Sequence, residues 1–178
     1  MAQATLTTCG GDTLTAGIPG QIADLESAQV ITRQNSASAA IDFGVAATWA
    51  TGDADHTCKP QSASTDFVLG ITVREPLFAA SADGLTTVNY VQYANVPILI
   101  DGVIFVQAAE AVRAQDEALS ITGGGAGNTA AGALGSRNGG AASSTRLVVP
   151  GTTWLDTVAS GGIGRVRIKT TGAPRTTT

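Results

Sequence analysis

The sequence predicts an all-β fold, a sandwich or barrel, and three observations carry that expectation. Several short runs alternate apolar and polar residues or are dense in β-branched side chains. Gly, Pro and Asp-Gly pairs punctuate the chain between those runs. The one stretch compatible with a helix has strands predicted on both sides of it. At 178 residues the chain fits a single domain. The expected layout is an extended N-terminal arm at 1–20, a β domain at 21–170 and a frayed tail at 171–178. A flexible Gly/Ala-rich loop is expected at 121–144.

The elements follow in chain order. Residues 1–20 are rich in Thr, Ala and Gly, end in "AGIPG" and offer few large apolar side chains, hence an arm. "QIADLESAQVITR" fits neither period and reads as extended. In "AAIDFGVAATW", Ile41, Phe43 and Val45 alternate with Asp42, Gly44 and Ala46, the period of a half-buried strand. "TGDADHTCKPQSAST" reads as a polar loop, and "DFVLGITVREP" as a strand stopped by Pro76. A reversal is expected at Asp83-Gly84. "LTTVNYVQYANVPILI" then reads as one or two strands broken near Pro97, and a second turn is expected at Asp101-Gly102 before "VIFVQA". Residues 108–121 admit a helix with Ala108, Val112 and Leu119 on one face, or strand–turn–strand with the turn at "AQDE"; the flanking strands favour the second. "RLVVP" and "GRVRIKT" are the last two strands.

Composition limits the function. Hydrophobic residues make up 43% of the chain, but 30 residues are Ala, and aromatics are only 4%. Alanine buries little apolar area, so the core is thin and binding a partner is a ready source of extra stability. Residues 1–136 carry 4 Lys/Arg against 13 Asp/Glu, whereas 137–178 carry 6 against 1. An acidic body with a basic end disfavours nucleic-acid coating and suits an acidic protein partner for the end. No signal-peptide pattern and no apolar run of membrane-spanning length is seen. Cys9 and Cys58, the two cysteines, are expected as free thiols made in a reducing compartment.

No catalytic, cofactor or metal site is expected. The "GGIG" of 161–164 matches neither the P-loop nor the dinucleotide spacing and is followed by an alternating strand, so it reads as a strand corner. His56, near Asp53, Asp55 and Cys58, has metal-ligand chemistry, but Cys9 is the only further thiol or imidazole and no second cluster exists. As the sole histidine, and with no G-x-S-x-G elbow in the chain, His56 does not assemble a hydrolase triad. The acidic pairs Asp53/Asp55 and Asp116/Glu117 fall in loops or turns, where carboxylates are ordinary.

The most informative pattern is Arg165, Arg167 and Lys169. With period two the three cations share one sheet face, while Val166 and Ile168 share the other. Such a row is a solvated face, a guard against edge pairing, or a contact surface for an acidic partner.

Several segments, taken in order, resemble the tailed-phage structural cement proteins, also called capsid decoration proteins. They are "PGQIADLESAQVITR", "IDFGVAA", "FVLGITVRE", "VNYVQYANVPILIDGVIFVQA" and "VPGTTWLDTVASGGIGRVRI". Pro150, Gly151 and Trp154, followed by Ser160, Gly161 and Gly162, carry most of the likeness, with Phe43–Ala46 and Leu69–Ile71. The resemblance implies a jelly-roll-like β-sandwich without catalytic residues or cofactors, bound to the outside of an icosahedral head. It implies the major capsid protein as partner and a homo-oligomer on the capsid surface; the free thiols and absent signal pattern suit synthesis in the host cytoplasm, and charge and hydropathy give no expectation of nucleic-acid or membrane contact. The alternative is a receptor- or carbohydrate-binding β module of a fibre or tail. Only Trp49, Trp154, Tyr90 and Tyr93 could stack on sugars there.

Overall fold

A computed structural model describes residues 8–9, 12–13, 17–50, 55–63, 65–75, 89–136 and 146–169. Among them every regular element is a strand: β1 (Thr8–Cys9), β2 (Asp12–Thr13), β3 (Ile22–Asn35), β4 (Ile41–Asp42), β5 (Ala46–Trp49), β6 (Thr57–Pro60), β7 (Val68–Thr72), β8 (Asn89–Tyr90), β9 (Asn95–Gln107), β10 (Glu117–Ile121), β11 (Ala133–Ser136), β12 (Arg146–Trp154) and β13 (Ile163–Lys169). Nine of them form one sheet in the order β11-β10-β12-β13-β9-β3-β6-β5-β7, and β7 pairs again with β9. The expected all-β class is thus realised as a barrel-like nine-stranded sheet with two further two-stranded pairs, β1-β2 and β4-β8.

β9 is the axis of this arrangement. Its first half lies between β3 and β7, through pairs such as Val30 with Leu99 and Ile71 with Leu99. Its second half lies between β3 and β13, through pairs such as Ile22 with Ile104 and Val166 with Ile104. At the far end of the order, the Ala109 N–H donates to the Leu134 carbonyl at 2.8 Å, which returns β11 to the end of β9. Both ends of the sheet therefore come back to the same strand. Closure of this kind removes the unpaired edges that promote aggregation.

The expected reversal at Asp101-Gly102 is instead a bend inside β9. Gln29 pairs with Asp101 and Val30 with Leu99, so Ile100 is an extra residue on β9. Gly102 takes φ +136°, and a Cβ there would lie 3.2 Å from Ala28 Cα. The extra residue switches side-chain parity. Leu99 and then Ile104 and Val106 thereby enter one core cluster, although they are odd and even positions of the same strand.

The break expected near Pro97 also falls elsewhere. The chain turns at Gln92–Tyr93, where Tyr93 takes φ +66°, and β9 runs straight through Pro97. In a strand the N–H and C=O of one residue point to the same side. The Pro97 carbonyl accepts the Val73 N–H at 2.8 Å, so the N–H that proline lacks would have met the Val73 carbonyl. That carbonyl is taken by the Tyr90 hydroxyl. No backbone group is orphaned, and the proline is tolerated.

Other elements differ more locally. The run 41–49 splits into β4 and β5 because Gly44 turns with φ +70° against Gly20 N. β6 lies in the region read as a loop: its Cys58 and Pro60 are buried, and Lys59 pairs with Asp66 at 2.7 Å. Within 121–144, Ala133–Ser136 form the fully buried β11, while 137–144 lie outside the described residues. Between β9 and β10 the strand–turn–strand reading holds in part: the turn is at Ala114–Gln115 and "ALSI" is strand. "EAVR" contributes only an isolated bridge from Val112 to Val158. The Asp83-Gly84 turn, the tail at 171–178 and most of the arm lie outside the described residues.

Two principal core clusters fill the fold. One joins Ile104, Val106, Leu134, Val149, Trp154, Val166 and Ile168 with Ala46, Ile71 and Leu99. The other joins Ile41, Phe43, Val45, Ala47, Cys58, Leu69, Tyr90, Val96 and Ile98. Ala46 and Ala47, neighbours on β5, face different clusters, so this strand is buried on both sides. Small side chains let the layers approach there, which gives the alanine-rich composition a structural use.

Candidate functional site

β13 realises the alternation read from the sequence. Val166 and Ile168 are fully buried, while Arg165, Arg167 and Lys169 are exposed. The strand is held on one side by β9, with Arg165 opposite Phe105, Arg167 opposite Val103 and Lys169 opposite Asp101. On the other side Arg167 lies opposite Thr153 of β12. The cations therefore stand on a strand bonded along both edges, not on a free edge. A role in blocking edge pairing does not fit that position.

The three are electrostatically unequal. Arg165 is engaged by Asp156, with Nη2 to Oδ1 at 2.8 Å and Nε to Oδ2 at 3.0 Å; its backbone N–H also donates to Oδ2 at 2.8 Å. The Arg165 side chain holds the Asp156 carboxyl below the usual carboxylate range, against a smaller opposing effect of burial. Among the described residues Arg167 and Lys169 form no ion pair. Much of the face's uncompensated charge sits on these two.

The GGIG stretch is the corner that delivers the chain into β13. Gly161 takes φ +80°, its N–H donates to the Ala108 carbonyl at 2.8 Å, and the Gly162 N–H closes a turn onto Ala159 O at 2.9 Å. Trp154, fully buried, donates its indole N–H to the Gly135 carbonyl at 2.9 Å and so ties β12 to β11.

The other chemically suggestive residues fall into structural places. His56 is exposed at the turn before β6, whereas Cys58 is fully buried and free. Burial pushes the Cys58 thiol up to about 12, with nearby Arg33 opposing. Such a thiol is protonated at neutral pH, which makes it a poor nucleophile and metal ligand. Among the described residues no three His, Cys, Asp or Glu side chains converge on a common point, and Asp53 and the Cys9 side chain lie outside them. Asp116 accepts the Ser136 hydroxyl at 2.7 Å and the Arg113 N–H at 3.0 Å, a capping role at the turn before β10.

Two features had no signal in the sequence. Arg146 and Glu110 form a bidentate pair, with both N–O distances 2.8 Å and both side chains about five-sixths buried. Thirty-six positions separate them, and neither lies in a motif. Aromatic exposure is likewise set by the fold: Trp49, Phe67 and Tyr93 are 45%, 50% and 67% exposed, while Trp154 and Tyr90 are buried.

The chain matches the family described as structural cement protein (E217 gp24/Pam3 gp6) over residues 6–169. Among solved structures it is similar to a chain from the capsid of Myoviridae phage XM1, with a TM-score of 0.65 and 12% identity. That match covers 96% of this chain and 98% of the other. No curated protein matches it. The family match extends from the arm to the last residue of the cationic strand, and the chain belongs to the structural cement protein family.

Proposed function

We propose that this chain is a clamp on the outside of an icosahedral phage head. It bridges neighbouring major capsid subunits and holds the DNA-filled shell together. Family membership makes it a capsid-binding, stabilising structural protein and carries the virion location. The outward position, the bridging and the homo-oligomeric arrangement on the surface are the proposed refinements. So are synthesis in the host cytoplasm, a jelly-roll-like reading of the closed sheet, and the absence of catalysis and of nucleic-acid or membrane contact.

The observation that supports the contact surface is the exposed row Arg165, Arg167, Lys169 on a strand fixed along both edges. The paired strand fixes the main chain beneath the row, so docking orders the exposed side chains but not the backbone that carries them. The counterpart we propose for it is an acidic patch on the capsid subunit. The test is Arg167→Glu with Lys169→Glu, measured as copies bound per capsid against free concentration. Arg165 is left in place because its loss would also release Asp156. Exposed ion pairs contribute about 0.2–1 kcal/mol each, so the double reversal is expected to weaken binding roughly fivefold with an unchanged melting temperature. Unaltered occupancy refutes this surface as the contact.

The alternative, a receptor- or carbohydrate-binding module of a fibre or tail, draws support from the exposed Trp49 and Tyr93. Trp154 and Tyr90, being buried, offer it nothing. Retained sugars on a glycan array, lost on Trp49→Ala, would favour it.

A further inference from the structure

A cleft of about 250 Å³ opens where the arm root, β4, β7 and the end of β9 meet, lined by Pro19, Asp42, Phe43, Arg74, Gln107 and Asn128. Its walls are rigid. The Gly20 N–H donates to Phe105 O at 2.8 Å, the Arg74 N–H to Gly20 O at 2.7 Å, and Gly20 and Gly44 pack with φ of +83° and +70°. A Cβ on Gly20 would come within 2.9 Å of Arg74 N, so the arm root is seated as closely as backbone allows.

Arg74 is the distinctive group. Its guanidinium carbon lies 5.3 Å from the centroid of the Phe43 ring, a cation–π contact, and its side chain forms no hydrogen bond or ion pair among the described residues. The other polar walls have defined polarity. Asn128 Oδ1 accepts the Ala130 N–H at 3.0 Å, leaving its amide N–H₂ as a donor. Gln107 Nε2 donates to Gly161 O at 3.1 Å, leaving its oxygen as an acceptor. The Asp42 carboxylate is held by the Asn89 side chain. The cleft thus combines a planar cationic fork and an amide donor with two acceptors and the half-buried apolar surface of Pro19; Phe43, 5% exposed, forms its floor.

We propose that this cleft is a second docking site, separate from the β13 face, which receives an acidic side chain of an extended segment of the capsid subunit. A carboxylate matches the guanidinium fork in plane and spacing and accepts a further bond from Asn128. The peptide N–H beside it finds an acceptor in Gln107 or Asp42, and an adjacent aliphatic side chain packs on Pro19. The volume lies below the 300–1,000 Å³ usual for small-molecule sites, so it suits one anchoring side chain rather than a cofactor. The proposal rests on the capsid-clamp reading.

The experiment measures binding of the full chain to capsids for wild type, Arg74→Lys and Arg74→Gln, with melting temperatures as a control for folding. A blocked peptide carrying Val-Glu, and its Val-Gln counterpart, are titrated in parallel against isotope-labelled protein. Arg74→Gln is expected to bind capsids about tenfold to a hundredfold more weakly, and Arg74→Lys to recover part of that loss, because a point charge replaces the fork. The Glu peptide, but not the Gln peptide, should shift the Arg74 and Asn128 side-chain resonances. Wild type and a folded Arg74→Gln with equal occupancy overturn the proposal whatever the peptides do. Absence of capsid binding by wild type refutes the clamp itself, so the two failures are distinguishable.

Discussion

Removal of the charge on Glu110 tests how the C-terminal half of the sheet is held. Glu110 Oε1 accepts Arg146 Nη1 at 2.8 Å and the Ser136 N–H at 2.9 Å; its Oε2 accepts Arg146 Nη2 at 2.8 Å. Arg146 Nη1 also donates to the Ser136 carbonyl at 2.8 Å. One carboxylate therefore joins the bend after β9 to both β11 and β12. In Glu110→Gln the shape persists, but two charge-assisted bonds become neutral or repulsive. The guanidinium, with 17% side-chain exposure, is then left without its counter-charge. Loss of a partner in a fully buried pair costs about 3–5 kcal/mol. Residual exposure lowers this to about 2 kcal/mol, and for a chain of this size that corresponds to a drop in melting temperature of roughly 4–8 °C. Thermal unfolding with Arg146→Gln and the double variant completes a mutant cycle, in which the coupling should exceed about 1 kcal/mol. Additive effects of under half a kcal/mol each would show that the pair is an incidental surface contact.

Two other outcomes follow from local geometry. Gly102→Val places a β-branched residue at φ +136°, its Cβ 3.2 Å from Ala28 Cα and 3.3 Å from Leu99 Cδ1, at the bend that follows the extra residue Ile100. A loss of about 1–3 kcal/mol is expected in denaturant unfolding, and no change would mean that the bend is not required. Asp66 is pushed up by burial but held net below its ordinary 3.8 by the Lys59 ammonium and the Ser62 and Ala63 N–H groups. A depressed carboxylate contributes stability that is present above the unfolded value and lost as pH falls through the folded one. Acid unfolding below pH 3.8 should therefore be shallower in Asp66→Asn than in wild type. Parallel profiles would contradict this linkage.

The strands legible in the sequence are those whose own side chains specify them. β7 and the later half of β9 are dense in β-branched residues and β13 alternates with period two; all three form strands, although β7 ends at Thr72 rather than at Pro76. β6 was hidden because "HTCKPQ" has no apolar alternation; it exists through what surrounds it, namely the pairing of Cys58 with Trp49 and of Lys59 with Thr48. Pro97 and Asp101-Gly102 carry local signals of interruption that tertiary contacts override, through the Tyr90 hydroxyl in one case and the parity switch in the other. Composition read the region around β11 as loop because Ala133, Leu134, Gly135 and Ser136 give little propensity. Their burial and the Glu110–Arg146 contact supply the order instead. The exposed cations were legible because a strand converts period two directly into a face. The Arg74 cleft was not, since its six lining residues come from five separate parts of the chain.

DNA release on heating, compared between otherwise identical particles with and without this protein, tests its stabilising role on the phage head. A clamp requires the complete particles to retain DNA to a higher temperature, and re-addition of the purified chain to restore that margin. Release at the same temperature from both, at full occupancy, would contradict it.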